Sequence, residues 1–444
     1  MKSKKITNFL KSKQFTSEIH SLIPGGCHTY SKGDDQFPFN SPAAITHGKG
    51  AYVYDLDGNE FLDCSMGLTA VSIGHGYEPV VQAVCNSAYR GTNFQRPASI
   101  ELDAARIFLE TVEAGDMVKF AKNGSTVTTA AVKLSRAFTG RNKIAIAKEH
   151  NFFSFDDWFI SSTPTNYGIP KYVEEMTVSF NYNNYYSVEN LLANNHHDVA
   201  CLIMEPVKFD PPKDDFLHKV AALCKDRGVV LIFDEMVSGF KWSTNGAHNY
   251  YGVKSDLVTW GKGIANGFSA CALTGSAEIM ELGGIRRSGE KKLFLISSTH
   301  GAETIGLAAM IQTIIEFKKH NMVSSNWARG TKLQLQLNKV ITNHKLEKYL
   351  QIVGDPCLFA LVCRNLDEEA DDSFRTLMMQ EMISNGVLFQ GLFYPTWSHQ
   401  DSEISFLVHA FDSACSVYKA AINYGSTNGF LIGQAVKPVF RKKI

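Results

Sequence analysis

Short apolar runs alternate with helical patterns from about residue 115 to residue 275, and this alternation limits the fold more than any other feature. The run "VACLIM" (Val199–Met204) holds no polar residue, and neither does Val229–Phe233. Strands that are apolar throughout are buried on both faces, and the helices between them form the crossovers of a parallel sheet. We therefore predict an α/β fold with a mostly parallel central sheet flanked by helices.

The segments on either side of this region predict a second, smaller α+β domain built from both termini. "GKGAYVYDLDGNEFLDC" (Gly48–Cys64) is typical of a β-hairpin that turns at Asp57-Gly58. From Ala302 a long helical pattern leads into mixed helices and short strands. The predicted domains are an N-terminal segment of the small domain, the large domain and a C-terminal segment of the small domain, over 1–65, 66–320 and 321–444.

Charge and hydropathy exclude several classes of function. Lys+Arg and Asp+Glu both number 44, so nothing indicates a nucleic-acid partner. No apolar run approaches the ~20 residues of a membrane span. The nine cysteines are dispersed without a CxxC pair, which favours reduced thiols and a cytoplasmic location. The basic start lacks an apolar h-region, and we predict instead an amphipathic helix using Ile6, Phe9, Leu10 and Phe15.

Polar side chains follow the predicted strands at the edge where open parallel sheets bind their ligands. "FAKNGST" places Asn123, Gly124 and Ser125 at a strand-to-helix turn, whose free amides can hold a phosphate. Plain N-capping gives the same pattern. Asp234 ends an apolar strand, so it needs a buried cation, a metal or a protonated ring nitrogen as its partner. A helix-capping or surface acid is the alternative.

Lys262 stands between two glycines in "TWGKGIANGF", directly after an apolar run. A surface lysine is the commoner case, but the small residues that follow can pack tightly around this one. "LFLISSTHGAET" brings Ser297, Ser298 and Thr299 to the end of another apolar run, as a second phosphate contact. A phosphate cradle, an acid for a pyridinium nitrogen and a lysine placed to form an imine together meet the needs of pyridoxal 5'-phosphate (PLP). Such a lysine moves the Cα proton as general base and acid.

Over nearly its whole length the sequence resembles the class III (fold type I) PLP-dependent aminotransferases, in their glutamate-1-semialdehyde 2,1-aminomutase-like branch. Six segments carry the resemblance: "LIPGGCHTYSKGDD", "GKGAYVYDLDGNEFLDCSMGLTAVSIGHGYEPV", "NGSTVTTAAVKLSRAFTGR", "LIFDEMVSGFKW", "WGKGIANGF" and "SSTHGAETIGLAA". The resemblance implies the fold type I PLP-transferase architecture. It also implies a homodimer with shared active sites.

The resemblance implies a role for each matching position. Lys262 forms the Schiff base and Asp234 pairs with the pyridinium nitrogen. Thr299 contacts the phosphate bound by the neighbouring subunit. The remaining cofactor-binding residues lie in the cradle or against the ring, and they are Asn123, Gly124, Ser125, Phe152, Met236 and Val237.

Departures from the family pattern concern the substrate more than the cofactor. The family cradle Ser-Gly-Thr is Asn123-Gly124-Ser125 here, and Phe152 replaces a ring-stacking tyrosine without offering its hydroxyl. The arginine common after Gly-Phe is Lys241, which has no planar fork for a carboxylate. These changes weaken the case for a tetrapyrrole-pathway aminomutase.

Two segments, Cys27–Asp35 and Tyr394–Glu403, are predicted to form the mouth of the site, although ordinary loop composition explains them equally well. The side chains suited to a polar, hydroxylated substrate are His28, Tyr30, Trp397 and His399. The run "NNHHD" (Asn194–Asp198) has no third ligand nearby, so we expect a solvated turn and no metal site.

Three functions stay open from the sequence. The first is an aminotransferase that moves an amino group between an amino acid, such as glutamate, and an aldehyde or keto substrate, such as a sugar derivative. The second is glutamate-1-semialdehyde 2,1-aminomutase, an isomerase that needs one substrate only. The third is a degenerate member that keeps the fold for binding, against which Asp234 and Lys262 argue. The expected partners of the first are a small-molecule amino donor and an oxo acceptor.

Overall fold

The computed structural model describes residues 5–150, 152–195, 197–286, 289 and 291–439. The ends of the predicted small domain, and His196 of the "NNHHD" run, lie outside these residues. The strands are β1 (Ile45–Lys49), β2 (Tyr52–Asp55), β3 (Glu60–Asp63), β4 (Met117–Ala121), β5 (Lys143–Ala147), β6 (Thr177–Phe180), β7 (Val199–Met204), β8 (Val230–Asp234), β9 (Leu257–Trp260), β10 (Cys271–Gly275), β11 (Leu350–Asp355), β12 (Leu358–Cys363), β13 (Val387–Leu388) and β14 (Leu392–Phe393).

The helices lie between and around these strands. They are α1 (Leu10–Leu22), α2 (Met66–Thr69), α3 (Glu78–Ala88), α4 (Ile100–Val112), α5 (Gly124–Thr139), α6 (Asp157–Ile160), α7 (Lys171–Glu174), α8 (Tyr185–Asn194), α9 (Phe216–Arg227), α10 (Ala247–Tyr250), α11 (Ala277–Met280), α12 (Thr304–His320), α13 (Met322–His344), α14 (Asp372–Ser384) and α15 (Asp401–Tyr424). In the described part of the chain, none of them is long and apolar enough to cross a membrane.

The large sheet has seven strands in the order β4-β10-β9-β8-β7-β5-β6, and only β10 runs antiparallel to its neighbours. Every position of β7 and β8 is buried, as the apolar runs predict. Successive side chains point to opposite faces. Ile203 and Ile232 therefore pack in the cluster that contains α5, whereas Leu202 and Leu231 pack in the cluster that contains α8 and α9. The predicted mostly parallel α/β fold is confirmed.

A second body of structure joins the two ends of the chain. The hairpin β2–β3 forms at Asp57-Gly58, and β13 pairs with β3 in parallel. One core cluster contains Leu62 together with residues of α13, α14 and α15. The helices α12 and α13 meet at Asn321, which has a left-handed φ of 52°. The arrangement agrees with a small domain drawn from both termini, whose bounds at 65 and 320 stay a prediction.

Two elements differ from expectation. Helix α1 begins at Leu10 and not before Ile6, because Phe9 has non-helical backbone angles and packs its ring on Phe61 instead. The apolar run that leads to Thr299 is not a strand; it crosses α5 as irregular chain. Nζ of Lys133 in α5 donates a hydrogen bond to the carbonyl oxygen of Phe294 at 3.0 Å. This bond satisfies a backbone acceptor that would pair with a neighbouring strand if the segment were part of a sheet.

Candidate active site

The carboxyl edge of the large sheet collects the ionisable groups of the site. Strand register aligns Met204 with Phe233 and Asp234 with Thr259, so Glu205 and Asp234 leave the sheet side by side. Lys262 follows β9 at the same edge. Ligands of open parallel sheets bind at this edge.

Asp234 is buried and fixed. Its Oδ1 accepts hydrogen bonds from the backbone N–H of Met236 at 3.0 Å and from the Thr259 hydroxyl at 2.9 Å. Burial, followed by the negative charge of Glu205, raises the pKa of Asp234 to about 7. A carboxylate in such a place is stabilised by a cation. The residue is therefore suited to face a protonated ring nitrogen.

Lys262 begins a 3₁₀ turn that ends at Ala265, and its backbone lies in the left-handed region at φ 47°. Residues held in this region cluster at functional sites. Burial lowers the pKa of Lys262, while Asp234 and Glu205 oppose that shift. No ion pair within 4.0 Å joins Lys262 to either carboxylate in the described chain. An amine with a lowered pKa is more often neutral, as a nucleophile requires.

The start of α5 lies against the lysine loop through one methionine. Asn123 caps the helix by accepting from the N–H of Thr126 at 3.0 Å, which leaves the first turn to present backbone amides. A Cβ added at Gly124 would stand 3.1 Å from the Met236 sulfur, and one added at Gly261 only 2.5 Å from it. Met236 thus packs between the cradle and the loop. Amides, a buried acid and a lysine fit a group that carries a phosphate and a basic ring.

The rest of the cradle connects to the segment after β5. The Ser125 hydroxyl oxygen accepts from the N–H of Phe155 at 3.0 Å. Phe152 is 49% exposed and meets Phe159 edge-on at 5.9 Å. Thr299 is exposed on this chain. The geometry leaves the phosphate and ring-stacking roles of these residues as predictions.

Lys241, the departure from the family arginine, is buried behind the site. Its ammonium donates to the carbonyl of Val237 and lies 4.7 Å from the centre of the Tyr394 ring. Burial, followed by the charge of Lys262, lowers the pKa of Lys241 to about 7. The side chain is therefore held by protein groups.

The predicted mouth residues lie in unlike places. His28 and Tyr30 are exposed, and Trp397 stacks under Arg329 at 4.8 Å. His399 is no exposed mouth residue: it is 4% exposed, with one ring nitrogen at Thr396 and the other at a backbone carbonyl. Its burial lowers its pKa to about 4. No described contact joins these four side chains to Lys262 or Asp234.

The sequence reading missed three ionisable residues beside the site. Glu205 is buried, and its N–H donates to Nδ1 of His150 at 3.0 Å. Lys208 pairs with Oε1 of Glu205 at 3.2 Å, whereas Oε2 is buried with no hydrogen-bond partner. Glu205 ends an apolar run just as Asp234 does, and the same rule would have found it. No group of three metal-ligating side chains occurs among the described residues.

Comparisons with known proteins agree with this geometry. The family model "Aminotransferase class-III" matches residues 34–414. Glutamate-1-semialdehyde 2,1-aminomutase 2 of Bacillus cereus is 29% identical over 436 residues, which cover 93% of this chain and 99% of that protein.

Solved structures with this fold include the FumI protein of Sphingopyxis sp. MTA144 in its PLP internal aldimine form. Its TM-score is 0.84 at 22% identity, covering 95% of this chain and 99% of that one. A glutamate-1-semialdehyde aminomutase from Pseudomonas aeruginosa PAO1 has a TM-score of 0.79 at 18% identity, covering 92% of this chain and 94% of that one.

Proposed function

The chain belongs to the class-III aminotransferase family, and on that premise we propose that it is a PLP-dependent enzyme that moves an amino group from an amino acid, such as glutamate, to an aldehyde or keto substrate. The observation that carries the proposal is the pairing of Asp234 and Lys262 at one sheet edge, coupled electrostatically but not in contact. In this proposal the flat ring of PLP lies between them. That the acceptor is a sugar derivative stays a prediction from the sequence, which rests on hydrogen-bonding groups such as His28 and Tyr30 in the predicted mouth.

The residues divide the work by chemistry. When bound, PLP supplies an electron sink for the charge left when Cα loses a proton. Asp234 holds the proton on the ring nitrogen, because its carboxylate is fixed by Met236 and Thr259. Nζ of Lys262 anchors the cofactor and then takes and returns the Cα proton. The first turn of α5, with Asn123, Gly124 and Ser125, binds the phosphate.

The same proposal assigns roles to four further residues. Phe152, Met236 and Val237 lie against the ring, and Thr299 reaches the phosphate of a partner site in a homodimer. Met236 has the firmest support, because it already packs between Gly124 and Gly261.

The second candidate is glutamate-1-semialdehyde 2,1-aminomutase. The observation that favours it is the 29% identity that extends over 99% of the B. cereus protein of that name. Lys241 counts against it, because that side chain is buried and bound by Val237 where the family sequence has an arginine. The two functions differ in what leaves the site: only the aminotransferase releases an oxo acid from a separate donor.

The test is a panel of amino donors added to the PLP-loaded protein. We expect at least one amino acid to convert the cofactor to its amine form, seen by absorbance, and to release its oxo acid, identified by mass spectrometry. Asp234→Asn is the matched control, which should keep PLP bound and convert the donor far more slowly. Conversion of glutamate-1-semialdehyde alone, with no oxo acid, would establish the aminomutase instead. A protein that binds no PLP would remove both candidates.

A further inference from the structure

Lys208 lies beside the site but has no part in the chemistry described so far. The chain leaves β7 at Met204 and turns within four residues, so that Nζ of Lys208 returns to 3.2 Å from Oε1 of Glu205. The two partners differ in access: the Lys208 side chain is 24% exposed and that of Glu205 only 3%. The acid is sealed inside the protein, and the cation reaches its surface.

The charge of Lys208 acts on ionisable groups at the sheet edge. It is among the charges that lower the pKa of Lys262, where burial is the larger cause, and it does the same to His150. Glu205 places Lys208 at this edge of the sheet, because it pairs with Lys208 and leaves β7 level with Asp234 on β8. Lys208 therefore lies within electrostatic reach of the reacting amine.

Lys208 has hydrogen-bonding capacity to spare. A lysine ammonium carries three N–H donors, and only the bond to Glu205 is described here. The other cation near Lys262 is Lys241, which is 2% exposed and already held by Val237 and the Tyr394 ring. Of these two lysines, Lys208 alone has the access that an incoming anion needs.

We propose that Lys208 binds a carboxylate of the amino substrate and so selects anionic donors; this inference rests on the proposed function. The buried Glu205 orients the ammonium and leaves its outer donors for the ligand. A carboxylate bound there would lie at the same sheet edge as Lys262, because Glu205 leaves the sheet beside Asp234.

The test uses three donors that carry two, one and no carboxylates: L-glutamate, 4-aminobutyrate and propylamine. Charged hydrogen bonds contribute about 1.5–3 kcal/mol, so Lys208→Met should lower kcat/KM for at least one carboxylated donor by about tenfold to a hundredfold. It should lower kcat/KM for propylamine far less, because this donor has no carboxylate to bind, and Lys208→Arg should recover most of the loss. Lys213→Met is the matched control, since Lys213 forms an exposed pair with Asp210 on the same connection. Equal losses for all three donors, or none, would overturn the proposal.

A binding measurement separates this proposal from the function it rests on. Calorimetry with glutarate, against its neutral diamide, should show binding that Lys208→Met weakens by the same factor. If the protein converts no donor yet binds glutarate through Lys208, amino transfer fails and the anion site stands. If it converts donors and neither selectivity nor glutarate binding changes in Lys208→Met, the anion site fails alone. If no donor is converted and glutarate binding is unaffected, both fall.

Discussion

Two lysines near the sheet edge have opposite surroundings. Lys262 retains accessible surface and has a left-handed backbone, whereas Lys241 is enclosed and bound to a carbonyl. Both have a pKa that burial lowers, so charge alone does not distinguish a nucleophile from a structural amine. Their access does.

Lys262→Ala should abolish the visible absorbance of the lysine-bound cofactor and reduce amino transfer by several orders of magnitude, because the proposed imine forms on Nζ of Lys262. Lys241→Met is the comparison, and it should keep the absorbance. The measurement is the spectrum of each variant after PLP is added, with circular dichroism to verify folding. The reverse result, loss in Lys241→Met alone, would move the imine to the buried lysine.

His399 should make the stability of the protein depend on pH. Burial lowers its pKa to about 4 in the folded chain, from an ordinary 6.5. The unfolded chain takes up a proton through this interval and the folded chain does not, so the free energy of unfolding falls as pH drops from about 6.5 to about 4, by up to about 3 kcal/mol. The free energy of unfolding, measured by urea denaturation at each pH, should change less steeply with pH in His399→Gln than in wild type. An unchanged slope would mean that the imidazole is charged in the fold.

Rules for single residues predicted burial correctly where a residue type has few structural roles at that kind of position. Asp234 after an apolar strand predicts a buried acid, which is what the structure contains. Exposure was not predictable for His399, because its burial depends on a carbonyl of Asp63, hundreds of positions away along the chain. Glu205 and His150 meet only through the register of β5 and β7, which apolar periodicity does not specify.

At the scale of elements, α5 connects stability to ligand binding. Asn123→Ala removes the cap that fixes its first turn, and a lost cap costs about 1 kcal/mol. We expect a lower melting temperature and faster loss of PLP on dialysis. Asn184 caps α8 in the same way, because its Oδ1 accepts from the backbone N–H of Ser187 at 3.0 Å. Asn184→Ala should therefore lower stability without releasing PLP. Equal PLP loss in both variants would mean that the cradle is not at α5.

The elements themselves were largely predictable, because β7 and β8 are apolar at every position and the turn at Asp57-Gly58 is strongly coded. The start of α1 and the irregular path near Phe294 were not. In both places a tertiary contact replaces local preference: Phe9 packs on Phe61, and Lys133 takes the Phe294 carbonyl.

At the scale of the whole molecule, the proposed homodimer with shared sites is open to a complementation test. Thr299→Ala should weaken PLP retention, and Lys262→Ala chains should be inactive alone. Random pairing of the two variants makes half of the dimers mixed. If Thr299 serves the partner's site, each mixed dimer has one intact site out of two. Activity should then return to roughly a quarter of the wild-type level. Activity is measured after the two variants are unfolded and refolded together. No recovery would place Thr299 in its own chain's site, whereas full activity of Thr299→Ala chains alone would mean that Thr299 has no role.

The antiparallel strand β10 has a consequence for how this chain can vary. Because Cys271 pairs with Ala121, the loop that carries Lys262 leaves the sheet and rejoins it at one edge, next to the cradle. One extra residue between Gly261 and Ala270 would shift the backbone that carries Lys262, the proposed imine-forming residue. An extra residue near Gly228, which precedes β8 at the opposite edge, would alter only a surface bend. We therefore expect insertions and deletions among related sequences to be frequent at that opposite edge and rare in the loop.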